Sequence, residues 1–95
     1  MQAAVEALLR LGPLPNSASA AMPRIQAFEE QLSKVNTPVS DEEAKALVGL
    51  FGPDDCFGLA WTLLHLIESS PGWPLEEALN GLEGEWIDRL RERAA

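Results

Sequence analysis

The chain has 95 residues, an apolar fraction of 46% and a formal net charge of −8 at neutral pH. A domain needs roughly 50 residues or more to bury enough apolar surface, so this length predicts one domain, 1–95, and excludes two. The apolar fraction excludes a disordered chain. No apolar run approaches the roughly 20 residues that cross a bilayer, so we expect no membrane partner.

The negative charge is concentrated between Glu29 and Asp88, where thirteen acidic residues stand against Lys34 and Lys45. Such a region repels phosphate backbones, because nucleic-acid binding is driven largely by Lys and Arg. We therefore expect no nucleic-acid partner. A basic protein partner is compatible with this charge, although solubility alone explains an acidic surface equally well.

The first two helices follow from apolar residues that recur at three- and four-residue steps. No segment has the period of two of a half-buried strand, so the sequence predicts an all-α fold. The first helix is predicted over 2–11 and ends at Gly12-Pro13. The second begins near Pro23, which suits a first helical turn, and ends near Val35.

The third helix has the clearest start in the chain. Ser40-Asp41-Glu42-Glu43 has the form of a capping box, in which Ser40 accepts a hydrogen bond from the amide of Glu43 and Glu43 reaches back. Gly52-Pro53 ends this helix.

The most apolar helix is predicted over 56–69, with Asp54 or Asp55 as its N-cap. Apolar residues cover most of its circumference, so we expect it at the centre of the fold with Trp61 in the core.

The last helical region follows the turn Pro71-Gly72-Trp73-Pro74. This region can be broken into two helices at Asn80-Gly81 and Gly84, because each glycine destabilises a helix interior by about 1 kcal/mol relative to alanine. The spacing of Glu85 and Arg89 predicts an ion pair. We expect a compact bundle of about five helices, or six if this region is divided.

The stretch 40–74, two helices joined by Phe51-Gly52-Pro53-Asp54-Asp55 with the second mostly buried, resembles a HEAT-like helical hairpin. The run 51–68 is similar to a segment of small uncharacterised bacterial proteins. The resemblance implies a HEAT-like hairpin around the central helix and binding of protein partners along a surface. It also extends to immunity proteins of polymorphic toxins with helical-repeat folds. A solenoid usually needs three or more units and this chain has room for about two, so we expect a compact bundle.

Cys56 and His65 are the only cysteine and the only histidine. On one helix they lie half a turn apart and about 13 Å apart along the axis, so they cannot form a catalytic dyad. We expect Cys56 to be a small buried hydrophobe, although a helix N-terminus can lower the pKa of a thiol. We expect His65 to be hydrogen-bonded to a neighbouring helix. A zinc site would need carboxylates for most ligands, so no metal, cofactor or enzymatic activity is predicted. A lone cysteine also fits a reducing compartment, so we expect a cytoplasmic protein.

A weakly polar stripe runs along the predicted central helix at Gly58, Thr62, His65 and Ser69. It is the basis of an alternative interpretation, a small enzyme or ligand-binding domain that uses Asp55, Thr62 and His65. A concave pocket over the stripe would favour this alternative.

Trp73 is the candidate anchor for a protein partner, because tryptophan is frequent at interfaces. Packing back over its own helix ends is the structural alternative. The carboxylates of Asp54, Asp55, Glu76 and Glu77 complete the candidate partner-binding surface, and helix capping is the structural alternative for them.

The sequence therefore predicts a non-catalytic protein-interaction protein. The most concrete form is an immunity or antitoxin-type inhibitor that covers the active site of a basic toxin. A homo-oligomerising structural protein is the further alternative, and a large apolar patch on the last helix would indicate it.

Overall fold

The computed structural model describes residues 1–94 and contains, within them, six helices and no strand. The helices are α1 (Ala3–Leu11), α2 (Met22–Lys34), α3 (Asp41–Leu47), α4 (Leu59–Glu68), α5 (Glu76–Leu79) and α6 (Glu85–Ala94), and a 3₁₀ turn (Val48–Leu50) follows α3 directly. The prediction of an all-α fold is confirmed. The last helical region is divided in two, because Gly81 and Gly84 between α5 and α6 have φ angles of 80° and 131°.

The helices pack around α4, which contacts α2, α3 and α6, while α1 lies against α2 and α3. The radius of gyration of 12.4 Å is that of a compact chain of this length. Six of the ten residues of α4 are buried, namely Leu59, Ala60, Leu63, Leu64, Leu66 and Ile67. The central position of this helix is therefore confirmed.

One face of α4 remains outside the core. Thr62 and His65 are exposed, and the side chain of Trp61 is 38% exposed. The prediction that Trp61 belongs to the core is wrong. Its ring lies on the outer face of α4, where it packs edge-on against Trp86 of α6.

The start of α4 is also later than predicted. The helix begins at Leu59, not at Cys56, because Cys56, Phe57 and Gly58 have φ angles of 47°, 55° and 85°. These left-handed conformations are incompatible with a right-handed helix. Three consecutive residues therefore form a tight turn that buries Cys56 and turns Phe57 out to solvent.

The predicted capping box at the start of α3 is confirmed. The Oγ of Ser40 accepts a hydrogen bond from the amide of Glu43 at 3.0 Å, and Oε1 of Glu43 accepts one from the amide of Ser40 at 2.9 Å. Glu43 is only 4% exposed, and its Oε2 also accepts a hydrogen bond from the backbone N–H of Gln2 at 2.8 Å. The side chain of Gln2 in turn exchanges two hydrogen bonds with the backbone of Asn36. We call these four residues the N-terminal clasp, because they fasten the start of α1 to the start of α3.

Candidate functional site

Trp73 lies in the turn that joins α4 to α5. Its side chain is half-buried and packs against the core, so the ring is shared between the interior and the surface. The turn is fixed to α3 by a hydrogen bond of 2.8 Å from the amide of Gly72 to Oδ1 of Asp41. A side chain at position 72 would collide with that carboxylate, which explains the glycine. The turn therefore places the exposed residue Asp41 beside the segment that carries Trp73.

A groove of about 540 Å³ lies beyond this turn, lined by residues of α5 and α6. Its lining residues are Glu76, Glu77, Leu79, Asn80, Arg91 and Ala94. The two glutamates are exposed, and within residues 1–94 neither has an ion-pair partner. The structure thus brings two of the predicted partner-binding carboxylates together at the edge of a groove.

Arg91 is the cation in the lining of this groove, and its guanidinium is occupied by other groups. Its Nη2 donates to the carbonyl oxygens of Leu79 at 2.8 Å and Leu82 at 2.9 Å, and its Nη1 lies 3.5 Å from a carboxylate oxygen of Asp88. Arg91 therefore joins α6 to the segment that follows α5 and forms no ion pair with either glutamate, so the groove holds two carboxylates against one cation.

Carboxylates without an ion pair occur over the whole described surface and not only in the groove. Five of the fifteen carboxylates in residues 1–94 form an ion pair within the chain. Four of those pairs join residues three or four positions apart on one helix, and the fifth joins Arg93 of α6 to Glu68 of α4 at 2.7 Å. The remaining ten carboxylates have no cationic partner among the described residues.

Asp54 and Asp55 have different roles from each other, and neither caps α4. The Gly58 N-cap of α4 makes no side-chain hydrogen bond, so the predicted N-cap is wrong. The half-buried carboxylate of Asp54 accepts hydrogen bonds from the amide and hydroxyl of Ser17 and from the amide of Cys56, and the Ser17 hydroxyl bond in particular lowers its pKa. Asp54 is therefore an ionised residue that holds the loop after α1 against the turn before α4. Asp55 is exposed and has no cationic partner among the described residues.

The predicted partner-binding residues divide into two groups at opposite ends of α4. Asp54 and Asp55 precede its first residue, whereas Trp73, Glu76 and Glu77 follow its last. A helix of ten residues is about 15 Å long. The two acidic regions are therefore separate surfaces.

The predicted ligand stripe is an open helix face. Thr62 and His65 are exposed, and neither lines the groove between α5 and α6 or the smaller cavity between Val48 and Trp86. The His65 ring lies 6.5 Å from that of Trp61. Among the described residues no hydrogen bond joins it to a neighbouring helix, so the prediction of a hydrogen-bonding partner on such a helix is wrong. The concave pocket that would favour a ligand-binding domain is not formed by these two cavities.

Cys56 is fully buried, which confirms its prediction as a small core residue. Burial raises the pKa of its thiol, and the carboxylates of Asp54 and Asp55 raise it further. The alternative of a pKa lowered by a helix N-terminus is wrong, because Cys56 lies in the turn before α4. A thiol that stays protonated is a poor nucleophile.

A cluster of aromatic rings around Arg89 was not predicted from the sequence. The guanidinium of Arg89 lies 5.2 Å from the centroid of Trp61 and 5.0 Å from that of Trp86, and it forms the predicted ion pair with Glu85 at 2.8 Å. The ring of Phe51 stacks on Trp86 at 5.9 Å. These contacts fasten α6 to α4, and the helical spacing of Glu85 and Arg89 was their only signal in the sequence.

Within residues 1–94, no group of three or more His, Cys, Asp or Glu side chains is placed to hold a metal ion. In the same part of the chain, no helix has both the length and the apolar character that a membrane span requires.

Comparison of the chain with protein-family models, curated proteins and solved structures gives no match.

Proposed function

We propose that this chain is a non-catalytic, cytoplasmic protein-interaction protein whose groove between α5 and α6 receives a basic segment of a partner protein. The observation that carries this proposal is the pair Glu76 and Glu77. Both are exposed, both line the groove, and neither has a cationic partner within residues 1–94. Complementary charge raises the rate of encounter and selects the partner that carries it.

The lining of the groove supports a Lys- or Arg-containing occupant. Leu79 and Ala94 offer apolar surface to the aliphatic stem of such a side chain, while the glutamates meet its charged end. The Asn80 side chain has both donors and an acceptor for the backbone of a bound segment. Trp73 lies three residues before Glu76, in the turn that Asp41 holds through the amide of Gly72.

The most concrete form of the proposal is an immunity or antitoxin-type inhibitor, which neutralises a basic toxin by covering its active site. Two features support this form. One is the resemblance, inferred from the sequence, of the run 51–68 to a segment of small bacterial helical proteins, and the other is that α3 and α4, the helices expected to form a HEAT-like hairpin, are in contact.

Affinity purification of the protein from its native host tests the proposal. We expect a stoichiometric basic protein that dissociates as the salt concentration is raised, because screening weakens contacts between exposed charges. Purification with a small metabolite and no protein would overturn the proposal, and so would self-association of the chain in place of a second protein.

The double variant Glu76→Gln/Glu77→Gln is expected to bind the purified partner about tenfold more weakly, equivalent to about 1.4 kcal/mol. The loss should be mainly in the association rate and should shrink at high salt. Surface plasmon resonance at two salt concentrations measures both effects. The matched control is Glu29→Gln/Glu30→Gln, which removes two consecutive exposed carboxylates from α2. An equal loss in the control would mean that net charge alone, and not the groove, attracts the partner.

A further inference from the structure

Phe57 combines two properties that the fold does not explain. Its side chain is 66% exposed, the largest exposed fraction among the large apolar residues that lie at the surface. Its φ angle of 55° is in the left-handed region, which glycine and asparagine adopt far more readily than an aromatic residue. The position therefore carries a backbone cost without the gain of a buried ring.

The ring of Phe57 lies outside the hydrophobic core of the described residues. It belongs neither to the buried core nor to the partly buried side chains that pack against it. Within residues 1–94, the rings that make aromatic or cation–π contacts are those of Phe28, Phe51, Trp61, His65 and Trp86, and Phe57 is not among them. A residue that breaks the local rules of folding without a compensating contact is typical of a functional position.

The surroundings of Phe57 have a definite charge. Asp54 and Asp55 stand three and two residues before it, and neither forms an ion pair within residues 1–94. The side chain of Asp54 is held in its ionised form by the hydrogen bonds from Ser17 and Cys56. An apolar ring beside two carboxylates matches a surface that has an apolar pocket bordered by Lys or Arg.

We propose that the turn 54–58 is a docking element that inserts the Phe57 ring into an apolar pocket on a basic protein, with the exposed carboxylate of Asp55 facing the cations around that pocket and Asp54 holding the turn in place. This inference rests on the proposed function, because it takes the partner to be a basic protein. The surface that it assigns to this partner is different, since the turn 54–58 lies at the opposite end of α4 from the groove. A second copy of the chain is disfavoured as occupant, since each copy carries a net charge of −8.

The left-handed backbone at position 57 allows the ring to be removed without destabilising the fold. Phe57→Gly removes the ring and at the same time suits the observed φ angle, so we expect an unchanged or higher melting temperature. The second variant is Phe57→Asn, because asparagine also tolerates this conformation. Unlike glycine, it keeps a side chain that limits the conformational entropy of the unfolded chain. A clear fall in melting temperature in both variants would show that Phe57 is a packing residue and would overturn the proposal.

Subtractive panning of a phage-displayed library of random dodecapeptides tests the occupant. The library is depleted on the Phe57→Gly protein and then selected on the unchanged protein. We expect the recovered peptides to combine Lys or Arg with apolar residues and to bind Phe57→Gly and Phe57→Asn at least tenfold more weakly than the unchanged protein. Met22→Ala, which removes another exposed apolar side chain, should bind them normally. No peptide, or peptides without basic residues, would overturn the proposal.

Three outcomes separate this proposal from its alternatives. If a parallel selection without the depletion step recovers only peptides that are weakened by Glu76→Gln/Glu77→Gln and unaffected at position 57, the docking element is overturned and the groove is left as the binding site. Dimerisation in sedimentation velocity that Phe57→Gly abolishes would assign the ring to a second copy. Binding to phosphatidylcholine vesicles that the same variant abolishes would assign it to a lipid surface. Either of the last two results overturns the proposal without bearing on the groove.

Discussion

Leu64→Ala is expected to lower the free energy of unfolding by about 2–5 kcal/mol, because truncation of a buried leucine removes apolar contacts and leaves a cavity. Leu64 is fully buried on α4, the helix that contacts α2, α3 and α6. A domain of this size has a total stability of about 5–15 kcal/mol, so the variant is expected to lose a large part of it. Urea denaturation followed by circular dichroism measures the loss.

Thr62→Ala is the matched control, since Thr62 lies two residues earlier on the exposed face of the same helix. We expect its effect to stay within about 0.5 kcal/mol. If the two substitutions cost the same, α4 would not be the central element of the core. In that case α4 would also not be a fixed helix that separates the two acidic regions.

Glu43→Gln is expected to lower the free energy of unfolding by about 2–3 kcal/mol. In the N-terminal clasp, both carboxylate oxygens of Glu43 accept hydrogen bonds, from Ser40, from the backbone of Gln2 and more weakly from its side chain. An amide replaces one of these acceptors with an NH₂ group, which then faces an N–H donor. The matched control is Glu42→Gln, an exposed residue in the same helical turn, for which we expect a change below about 0.5 kcal/mol.

The clasp also predicts a pH dependence with a definite sign. Hydrogen bonds from the backbone amides of Ser40 and Gln2 lower the pKa of Glu43 below its ordinary value of 4.5. As the pH falls below that value, the unfolded chain takes up the proton before the folded protein does, so the unfolding free energy decreases. Its contribution is complete above pH 4.5 and is lost as the pH falls through the folded pKa.

Unfolding measured between pH 3 and pH 7 separates Glu43 from the other carboxylates. In Glu43→Gln the decrease below pH 4.5 should be smaller, while the contribution of Asp54, whose pKa is also lowered, remains in both proteins. Parallel pH profiles for the two proteins would mean that Glu43 has the same pKa in the folded and unfolded states, and therefore that its carboxylate is not held by the clasp.

The local features of the fold could be predicted from the sequence, because each depends on residues a few positions apart. The capping box at Ser40 and Glu43 and the ion pair of Glu85 and Arg89 are of this kind. The same Glu43 also binds Gln2, 41 residues away, and no spacing rule indicates that contact. Long-range contacts of this type were missed because they depend on how the helices pack.

The start of α4 was misplaced for a different reason. An apolar run that begins at Cys56 has a helical pattern, and the pattern does not reveal the left-handed backbone of Cys56 and Phe57. Gly58 was the signal available, since glycine is the residue that adopts such angles readily. The same misplacement hid Phe57, which a helix beginning at Cys56 would have placed among the core residues.

The candidate site was predicted in part. Trp73, Glu76 and Glu77 were found from residue type alone, because a tryptophan in a turn and consecutive glutamates are visible in the sequence. The groove depends on Arg91 bonding to the carbonyl oxygens of Leu79 and Leu82, which follows from the break between α5 and α6. The separation of Asp54 from the glutamates followed from the helix predicted over 56–69 between them, but grouping these residues by charge alone placed them on one surface.

The rings of Trp61 and Trp86 are perpendicular, and their centroids are 5.0 Å apart. Their circular dichroism therefore reports whether α6 is packed against α4. Two indoles held so close and at 86° couple their electronic transitions, and such coupling produces a paired positive and negative band in circular dichroism. The band depends on the contact between α4 and α6 and not on helix content, so it would disappear if α6 detached while remaining helical. Partner-induced movement at the α6 wall of the groove could then be followed without attaching a dye.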